Sequence, residues 1–458
     1  MDHSTIRAAL TEDATRDEPV PGVILAFSNG QPRCEPIPLK TDGVVLGRGA
    51  IAGTSIVDDG LMSRRHARVV FDGSSWIVED LGSTNGTWID GEPARGEVRR
   101  ESVRVIRAGT SVFLPMPDIR RFLRWQVTVE KGVVKGPLLQ EAHETIGRAA
   151  AVGDSLLVTG ESGTGKELAA RAFHALGPQG RGPFVAVNCA AIPEGLAERL
   201  LFGARKGAYS GATHDTEGYV QAAHGGTLFL DEVAELDASV QAKLLRTIDT
   251  QQVLELGATT ARPVQIRVCA ATHDLRARVA AGKFREDLYY RIGRPEVRLP
   301  PLRERPEEIA WHIAECCAPA PAEDRGALAI DVSLVVACLL RAWPGNVREF
   351  IGEARRAAMH AADDKRTSVE ARDLDAKAGI GMTQRDLGAP SAGDAEGRGR
   401  GGTLPEDAIA EALRQERGNV SRAAHRLGIH RNKVRRWLDK NGVDRAMFAA
   451  GGDPSGDD

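Results

Sequence analysis

The spacing of apolar and polar positions changes character along the chain. Between about Val23 and Leu114, short apolar runs are separated by turn dipeptides such as Asp42-Gly43 and Asn85-Gly86, a pattern that predicts a β-sandwich. From about Val127 onward, short apolar runs alternate with stretches of helical periodicity, which indicates a parallel sheet covered by helices. The candidate strands of this sheet are Ser155–Thr159, Phe184–Asn188, Thr227–Leu230 and Gln265–Ala270.

These changes predict a multidomain fold class: a β-sandwich, an α/β unit followed by a helical region, and an all-α unit. Residues 379–403 contain eight glycines and few apolar side chains, which is typical of a flexible linker. The predicted order is a polar tail (1–20), the sandwich (21–117), the α/β unit (125–304), the helical region (305–378), the linker (379–403), a helical unit (404–445) and a second tail (446–458).

Composition excludes several classes of protein. The chain has 458 residues, with 60 Lys and Arg against 63 Asp and Glu, so a uniformly basic surface is excluded but a local basic module is not. The six cysteines form no CxxC pair, which argues against a zinc ribbon or a secreted disulfide scaffold. The chain lacks an apolar run of about 20 residues and an apolar signal core. We therefore expect a cytoplasmic protein without membrane contact.

A glycine-rich loop follows the first candidate strand of the α/β unit and precedes a helical stretch. Glycines in that position let backbone N–H groups surround phosphate, and the helix N-terminus adds positive potential. A glycine-rich turn without a ligand is the alternative. The candidate nucleotide-binding residues of this loop are Gly160, Glu161, Ser162, Gly163, Thr164, Gly165 and Lys166.

Two adjacent carboxylates end a later apolar strand. In the run Gly226–Glu232, one of the carboxylates Asp231 and Glu232 could hold Mg²⁺ and the other could polarise an attacking water. A solvated helix start is the usual alternative for an Asp-Glu pair. Its position after four apolar or β-prone residues, downstream of a phosphate loop, favours the catalytic interpretation.

The run from about 155 to 365 resembles the central AAA+ ATPase domain of sigma-54-dependent transcriptional activators, the bacterial enhancer-binding proteins. Position 167 carries Glu where a generic phosphate loop has Ser or Thr, and this family has Glu there too. The matching segments are GESGTGKE (160–167), VNCAAI (187–192), GAYSGA (207–212), GGTLFLDE (225–232), FREDLYYRI (284–292), LPPLRER (299–305) and WPGNVREF (343–350).

This resemblance implies roles for individual residues and a helical lid over 305–378. Without the family context, Arg285 and Arg291 would be interpreted as members of surface ion pairs. The resemblance implies that Lys166 contacts phosphate, that Glu167 belongs to the nucleotide site, and that Arg348 senses the nucleotide. It implies that Asp231 organises Mg²⁺, that Glu232 activates water, and that Asn188 restrains Glu232. It also implies that Arg285 and Arg291 act as arginine fingers toward a neighbouring subunit.

The GAYSGA segment resembles the family's GAFTGA loop, which engages sigma-54. Tyr209 replaces the family's Phe, Ser210 replaces its Thr, and His273 stands where Asn is common. These departures from the family pattern bear on coupling to sigma-54. An ordinary flexible loop is the alternative. The candidate sigma-54 contacts are Gly207, Ala208, Tyr209, Ser210, Gly211 and Ala212.

The N-terminal region resembles a forkhead-associated (FHA) domain, a sandwich whose loops bind phosphothreonine. Arg48, Ser63 and Arg64 would contact the phosphate, and Thr84 and Asn85 the peptide backbone. His66 is expected to serve the loop framework rather than the ligand. The resemblance implies a phosphothreonine-containing partner, or a phosphorylated segment of this chain, produced by a Ser/Thr kinase. A sandwich kept only for packing is the alternative.

The C-terminal helical unit contains a local cluster of positive charge. Seven Lys or Arg and one acidic residue lie between Ser421 and Lys440, around a glycine-containing turn. Residues 419–442 resemble a Fis-type helix-turn-helix, although a solvated basic helix is the alternative. The candidate DNA contacts are His430, Arg431, Asn432, Arg435 and Arg436.

The combined hypothesis is a homo-oligomeric regulator that ranges from dimer to hexamer. A dimer binds upstream promoter DNA, and a hexameric AAA+ ring uses ATP and Mg²⁺ to remodel sigma-54 RNA polymerase. The FHA-like domain would place this activity under phosphothreonine control. An FHA-bearing, DNA-binding adaptor that hydrolyses ATP without coupling to sigma-54 is the alternative. A general AAA+ unfoldase is disfavoured by the helix-turn-helix and by the GAYSGA loop.

Overall fold

The computed structural model describes residues 18–48, 57–193, 195–318, 327–381 and 406–416, together with Ala423, Val434 and Leu438. The chain divides into two compact units, residues 1–381 and 382–458. Along the described segments, no helix is both long enough and apolar enough to span a bilayer.

The N-terminal part of the larger unit is a sandwich of two antiparallel sheets. Its strands are β1 (Gly22–Ser28), β2 (Gln31–Pro38), β3 (Val44–Leu46), β4 (Ala67–Phe71), β5 (Trp76–Asp80), β6 (Thr87–Ile89), β7 (Glu92–Pro93), β8 (Glu97–Arg100), β9 (Ile106–Ala108) and β10 (Ser111–Met116). The sheets have the orders β2-β1-β10-β9-β6-β7 and β3-β4-β5-β8. The predicted sandwich is therefore confirmed.

Strand β1 is buried along its whole length, because both of its faces are covered. Val23 and Leu25 point into the core between the two sheets, together with Phe113 of β10. Ile24 and Ala26 point to the opposite face and belong to a second core, which includes helices from the region after residue 305. Side chains alternate between the two faces of a strand, so a strand covered on both sides is apolar at consecutive positions.

The middle of the larger unit is the predicted α/β domain. Its strands are β11 (Thr128–Glu130), β12 (Val133–Lys135), β13 (Ser155–Thr159), β14 (Phe184–Asn188), β15 (Gly226–Asp231), β16 (Gln252–Val253), β17 (Arg262–Pro263), β18 (Ile266–Thr272) and β19 (Glu296–Arg298). Its helices are α1 (Arg120–Arg124), α2 (Pro137–Val152), α3 (Lys166–Leu176), α4 (Ala197–Phe202), α5 (Tyr219–Ala222), α6 (Ala238–Thr250), α7 (Leu275–Ala280) and α8 (Glu286–Ile292).

Five of these strands form a parallel sheet in the order β14-β15-β18-β13-β19. The four predicted strands are among them. Leu157 of β13 packs on one face of the sheet, and Leu156 and Val158 on the other with Phe173 of α3. Parallel strands expose their carboxyl ends at one edge, where ligands of such sheets bind, so the loops after β13, β14, β15 and β18 define the candidate site.

The helical region after residue 305 completes the larger unit. It contains α9 (Ile309–Cys317), β20 (Ala329–Ile330), α10 (Val332–Leu339), α11 (Asn346–Asp363) and β21 (Ser368–Val369). Trp343 is fully buried with its ring edge-on to Phe350, and its indole N–H donates to the carbonyl of Cys338 at 2.8 Å. This arrangement fixes the turn that leads into α11.

The sandwich and the helical region share one hydrophobic core. Phe27 and Leu114 of the sandwich lie in the same cluster as Val335 and Leu339 of α10. The guanidinium of Arg104 donates hydrogen bonds to the carbonyls of Leu339 (2.7 Å) and Leu340, where the end of a helix leaves carbonyls without partners. The sandwich is thus packed directly against the helical region after residue 305, the predicted lid.

A buried charged cluster lies where the α/β domain meets the helical region. Arg305 and Glu308 form an ion pair at 2.6 Å with both side chains inaccessible to water, and Glu308 also accepts from the backbone N–H of Gly136 at 2.6 Å. The neighbouring Glu307 is also fully buried. Burial, reinforced by the charge of Glu308, raises the pKa of Glu307 well above its usual range.

The smaller unit is described in part. Helix α12 (Glu406–Gln415) buries Ala412 and Leu413, and Ala423, Val434 and Leu438 are also buried. These five apolar residues are the described core of the predicted helical unit.

Candidate functional site

The loop between β13 and α3 has the backbone that a phosphate cradle requires. Gly163 and Gly165 have φ of 78° and 102°, in the left-handed region that side chains other than glycine rarely adopt. Helix α3 begins at Lys166 directly after the loop. The N-terminal N–H groups of α3 and the loop amides can therefore converge on an anion.

Lys166 meets the carboxylate pair at the edge of the sheet. Its Nζ is nearly buried, donates to the carbonyl of Gly160 at 3.0 Å, and lies 3.5 Å from Oε1 of Glu232. Glu232 follows β15 with a left-handed φ of 50°, and its N–H donates to the carboxylate of Asp231 at 3.1 Å. A non-glycine residue in this conformation costs roughly 1–3 kcal/mol, a strain that is concentrated at functional sites.

Asn188 lies beside the carboxylates at the end of the neighbouring strand. It pairs in register with Asp231, and its side-chain oxygen accepts from the N–H of Ala190 at 3.0 Å. A pocket of about 400 Å³ opens here, lined by Cys189, Ala190, Ile192, Glu232 and Glu235. Burial, together with the nearby carboxylates of Asp231 and Glu232, raises the pKa of Cys189 to about 12, so its thiol stays neutral.

Glu167 lies apart from this cluster. It forms an exposed ion pair with Arg171 one helical turn along α3, at 2.7 Å. The hydroxyl that a generic phosphate loop offers a metal is thus absent here, and Glu167 does not fill that place. The oxygen donors that suit Mg²⁺ are the carboxylates of Asp231 and Glu232.

The lid contacts the phosphate loop directly. Arg348 of α11 donates to the hydroxyl of Ser162 at 3.2 Å. Two residues outside the predicted set also reach the loop, since Arg303 and Asn346 both bind the carboxylate of Glu161. In the sequence, Asn346 follows a Pro-Gly pair, which signals a turn but not its partner.

A cavity of about 260 Å³ adjoins the loop on the side of β18 and β19. His273 lines it together with Glu161 and Arg276, and Arg276 pairs with Glu296 at 2.8 Å. His273 is therefore placed beside the candidate nucleotide site.

Arg285 directly precedes α8 and Arg291 lies in its last turn. Both form surface ion pairs, as the alternative interpretation expects for a single chain. Arg285 binds Asp287 at 2.7 Å and Arg291 binds Asp249 at 2.9 Å. Both guanidinium groups are partly exposed. The pKa of Arg285 is raised mainly by its hydrogen bond to Asp287. Each arginine could exchange its carboxylate partner for a more highly charged anion such as phosphate.

The segment 207–212 is a tight hairpin. The N–H of Gly207 donates to the carbonyl of Ala212 at 2.9 Å, and Gly211 has φ of 99°. Tyr209 is partly exposed, and its hydroxyl accepts from Arg199 of α4 at 2.9 Å. Ser210 is exposed at the tip. The Tyr209 side chain thus joins the hairpin to α4.

The candidate phosphothreonine residues lie together on loops of the sandwich. Ser63 Oγ accepts from the N–H of Thr84 at 3.1 Å, and Asn85 donates to the carbonyl of Leu61 at 2.7 Å. Arg48 and Arg64 are exposed beside them.

His66 supports these loops from inside the sandwich. It is fully buried, accepts from the N–H of Ser63 at 3.0 Å, and contacts the carbonyl of Gly86 through its other ring nitrogen at 3.0 Å. This is the framework role expected for His66 from the sequence. The predicted DNA contacts His430, Arg431, Asn432, Arg435 and Arg436 lie outside the described residues.

Comparison with known proteins gives three matched families in chain order. The FHA domain matches residues 44–109, the Sigma-54 interaction domain matches residues 133–298, and the Fis family of bacterial regulatory proteins matches residues 406–440. These matches agree with the three resemblances drawn from the sequence.

Individual relatives extend over most of the chain. It is 38% identical to the response regulator protein PilR of Pseudomonas aeruginosa over 75% of this chain and 80% of PilR. It is 36% identical to the transcriptional regulator NtrC of Azospirillum brasilense, over 66% of this chain and 68% of NtrC. Among solved structures, NtrX from Brucella abortus in complex with ATP is similar, with 30% identity, a TM-score of 0.48, and coverage of 69% of this chain and 70% of NtrX.

Proposed function

Because the chain belongs to the sigma-54-dependent transcriptional activators, with an AAA+ ATPase domain and a C-terminal DNA-binding domain, we propose that it assembles into a ring and remodels sigma-54 RNA polymerase by ATP hydrolysis. The FHA domain places this activity under phosphothreonine control. The observation that carries the catalytic part is the convergence of Lys166 and Glu232 beside the phosphate loop.

Within one chain, the site binds phosphate and orients water. Lys166 exchanges its carbonyl and carboxylate partners for the terminal phosphates, and the freed Glu232 orients the attacking water. Mg²⁺, held by Asp231 and the phosphates, would neutralise developing charge. Asn188, next to Asp231 in register, is positioned to restrain Glu232 until phosphate is bound.

Completion of the site requires a neighbouring copy. Arg285 and Arg291 end in partly exposed ion pairs with Asp287 and Asp249, so a neighbour's phosphate can compete for them. Arginine suits this task because its planar fork stays charged and binds phosphate oxygens in pairs. Sites shared head-to-tail close into rings, which supports assembly from dimer to hexamer.

The hairpin 207–212 is the proposed contact with sigma-54. Release of Tyr209 from Arg199 would let the hairpin rise when the nucleotide state changes. Aromatic side chains at loop tips are enriched among residues that dominate binding, so Tyr209 would contribute most of the contact.

Phosphothreonine control is supported by the packing of the FHA domain on the lid. Arg48, Ser63 and Arg64 would bind the phosphate, and Thr84 and Asn85 the peptide. Because Arg104 and the shared core join the sandwich to the lid, a phosphopeptide that shifts the sandwich would also shift the lid that carries Arg348.

The test is open-complex formation by purified sigma-54 holoenzyme, with ATP and with or without a phosphothreonine peptide. We expect ATP-dependent open complexes and a rate that the phosphopeptide changes, whereas its unphosphorylated twin has no effect. ATP turnover without open complexes would instead identify an ATP-hydrolysing adaptor. Equal rates with both peptides would contradict phosphothreonine control.

A further inference from the structure

The side chain of Glu161, in the phosphate loop, is hydrogen-bonded by Arg303 and Asn346, which lie far along the chain. The carboxylate of Glu161 accepts two hydrogen bonds from Arg303, at 2.6 and 2.8 Å, and a third from the side-chain amide of Asn346 at 3.1 Å. These bonds, that from Arg303 foremost, lower the pKa of Glu161 to about 2. The carboxylate is therefore charged and fully engaged at neutral pH.

Both polar atoms of the Asn346 side-chain amide are hydrogen-bonded, and its nitrogen binds the loop. The side chain is fully buried at the start of α11. Its oxygen accepts from the N–H of Leu302 at 2.8 Å, and its nitrogen donates to the carbonyl of Ser162 at 3.0 Å as well as to Glu161. Its backbone has φ of 53°, a conformation that asparagine tolerates better than most residues. A hydrophobic residue could supply none of these bonds.

The bond to Ser162 has a directional consequence. The C=O and N–H of a planar trans peptide point in opposite directions. Asn346 holds the carbonyl of Ser162 toward the lid, so the N–H of Gly163 is turned away from the lid, into the loop. A Cβ on Gly163 would collide with the carbonyl of Gly345, which shows how closely the loop and the lid approach each other.

We propose that Glu161, Arg303 and Asn346 form a latch that positions the phosphate loop for ATP and joins it to the lid. All three are positioning residues, since their described bonds join the loop, the lid and the segment at residues 302–303 that leads into the lid. Asn346 lies two positions before Arg348, so a change in the loop on phosphate binding reaches the start of α11 through the latch. The proposal rests on ATP binding by this domain and does not depend on sigma-54 or DNA.

The test exchanges donor and acceptor in the full-length chain. In Asn346→Asp, a carboxylate replaces the amide that faces Glu161 and Ser162, so we expect ATP affinity to fall about tenfold. The KM should rise with it while kcat changes less than about twofold, since the latch contacts none of the reacting atoms. Adding Glu161→Gln restores a donor opposite the introduced carboxylate and should recover part of the affinity, which a merely structural defect would not allow.

Two further variants complete the experiment. Glu304→Gln removes a neighbouring ion pair, with Arg298 at 2.9 Å, and is expected to leave ATP affinity unchanged. Asn346→Gly keeps the left-handed backbone and removes only the amide, so it separates strain from hydrogen bonding. If Asn346→Asp does not fold, Arg303→Gln provides the same measurement from the other end of the latch.

Unchanged ATP affinity in the folded latch variants, or an equal loss in Glu304→Gln, would overturn the latch. Neither result would bear on the proposed remodelling activity, because nucleotide binding is measured without polymerase. Conversely, a wild-type chain that binds ATP but opens no promoter leaves the latch intact and removes the remodelling proposal.

Discussion

Nζ of Lys166 lies 3.5 Å from a carboxylate oxygen of Glu232, although one residue follows β13 and the other follows β15. The pair brings the proposed phosphate-binding cation and the proposed water-orienting base within one ion-pair distance. A phosphate that binds Lys166 therefore also changes the environment of Glu232.

Lys166→Ala removes the cation of the loop. We expect ATP binding to weaken by about a hundredfold, because a charge-assisted contact to phosphate is lost. Titration with a fluorescent ATP analogue measures the effect. Lys135→Ala, which removes a lysine paired with Glu130 at 3.1 Å, should retain wild-type affinity; intact affinity in Lys166→Ala would refute the phosphate-loop assignment.

Arg291→Ala should lower ATP turnover about a thousandfold while nucleotide still binds, as expected for loss of an arginine finger. Glu232→Gln should also bind ATP and fail to hydrolyse it. A mixture of the two inactive variants should regain phosphate release, since some interfaces then combine an intact Glu232 with a neighbour's intact Arg291. A mixture as inactive as its components would show that the arginine does not act between subunits.

Arg48→Ala should abolish capture of a phosphothreonine peptide and leave basal ATP hydrolysis unchanged. The loss follows from removing an exposed guanidinium beside Ser63 and Arg64. Fluorescence anisotropy with a labelled peptide measures binding. Arg68→Ala, which removes an exposed arginine bound to the carbonyl of Asp42 at 2.9 Å, is the matched control; peptide capture that survives Arg48→Ala would move the ligand site elsewhere.

Glu307→Gln tests the buried charged cluster through pH. Because burial raises the pKa of Glu307 in the folded chain, the folded state holds a proton that the unfolded state releases above about pH 4.3. Stability from this group is therefore present at low pH and is lost as pH rises toward the folded pKa. The thermal midpoint of Glu307→Gln should exceed that of the wild type by more at pH 8 than at pH 5. An equal difference at both pH values would contradict a protonated Glu307.

Much of the site was predictable because it depends on strand ends. The apolar runs before Gly160 and Asp231 predicted two strands of one parallel sheet, and in such a sheet their carboxyl ends share an edge. The structure has both runs as strands β13 and β15 of one parallel sheet. The ion pair between Glu167 and Arg171 could also be inferred from the sequence, because residues four apart on a helix are neighbours.

The latch and the interdomain core were not predictable in the same way. Arg303 and Asn346 reach Glu161 from segments far along the chain, and no local periodicity encodes such a contact. The consecutive apolar residues of β1 did carry a signal, because they require cover on both faces. They could not show that one cover is the lid, since apolar side chains pack against any complementary apolar surface.

The apolar face shared by β1, β10 and α10 limits how this chain can exchange parts with its relatives. Ile24 and Leu114 on one side and Val335 on the other are buried in one apolar cluster. A recombination event that replaced the N-terminal domain alone would leave the lid surface in water, where contiguous apolar area favours aggregation. An N-terminal domain joined to this lid therefore needs an apolar face complementary to α10.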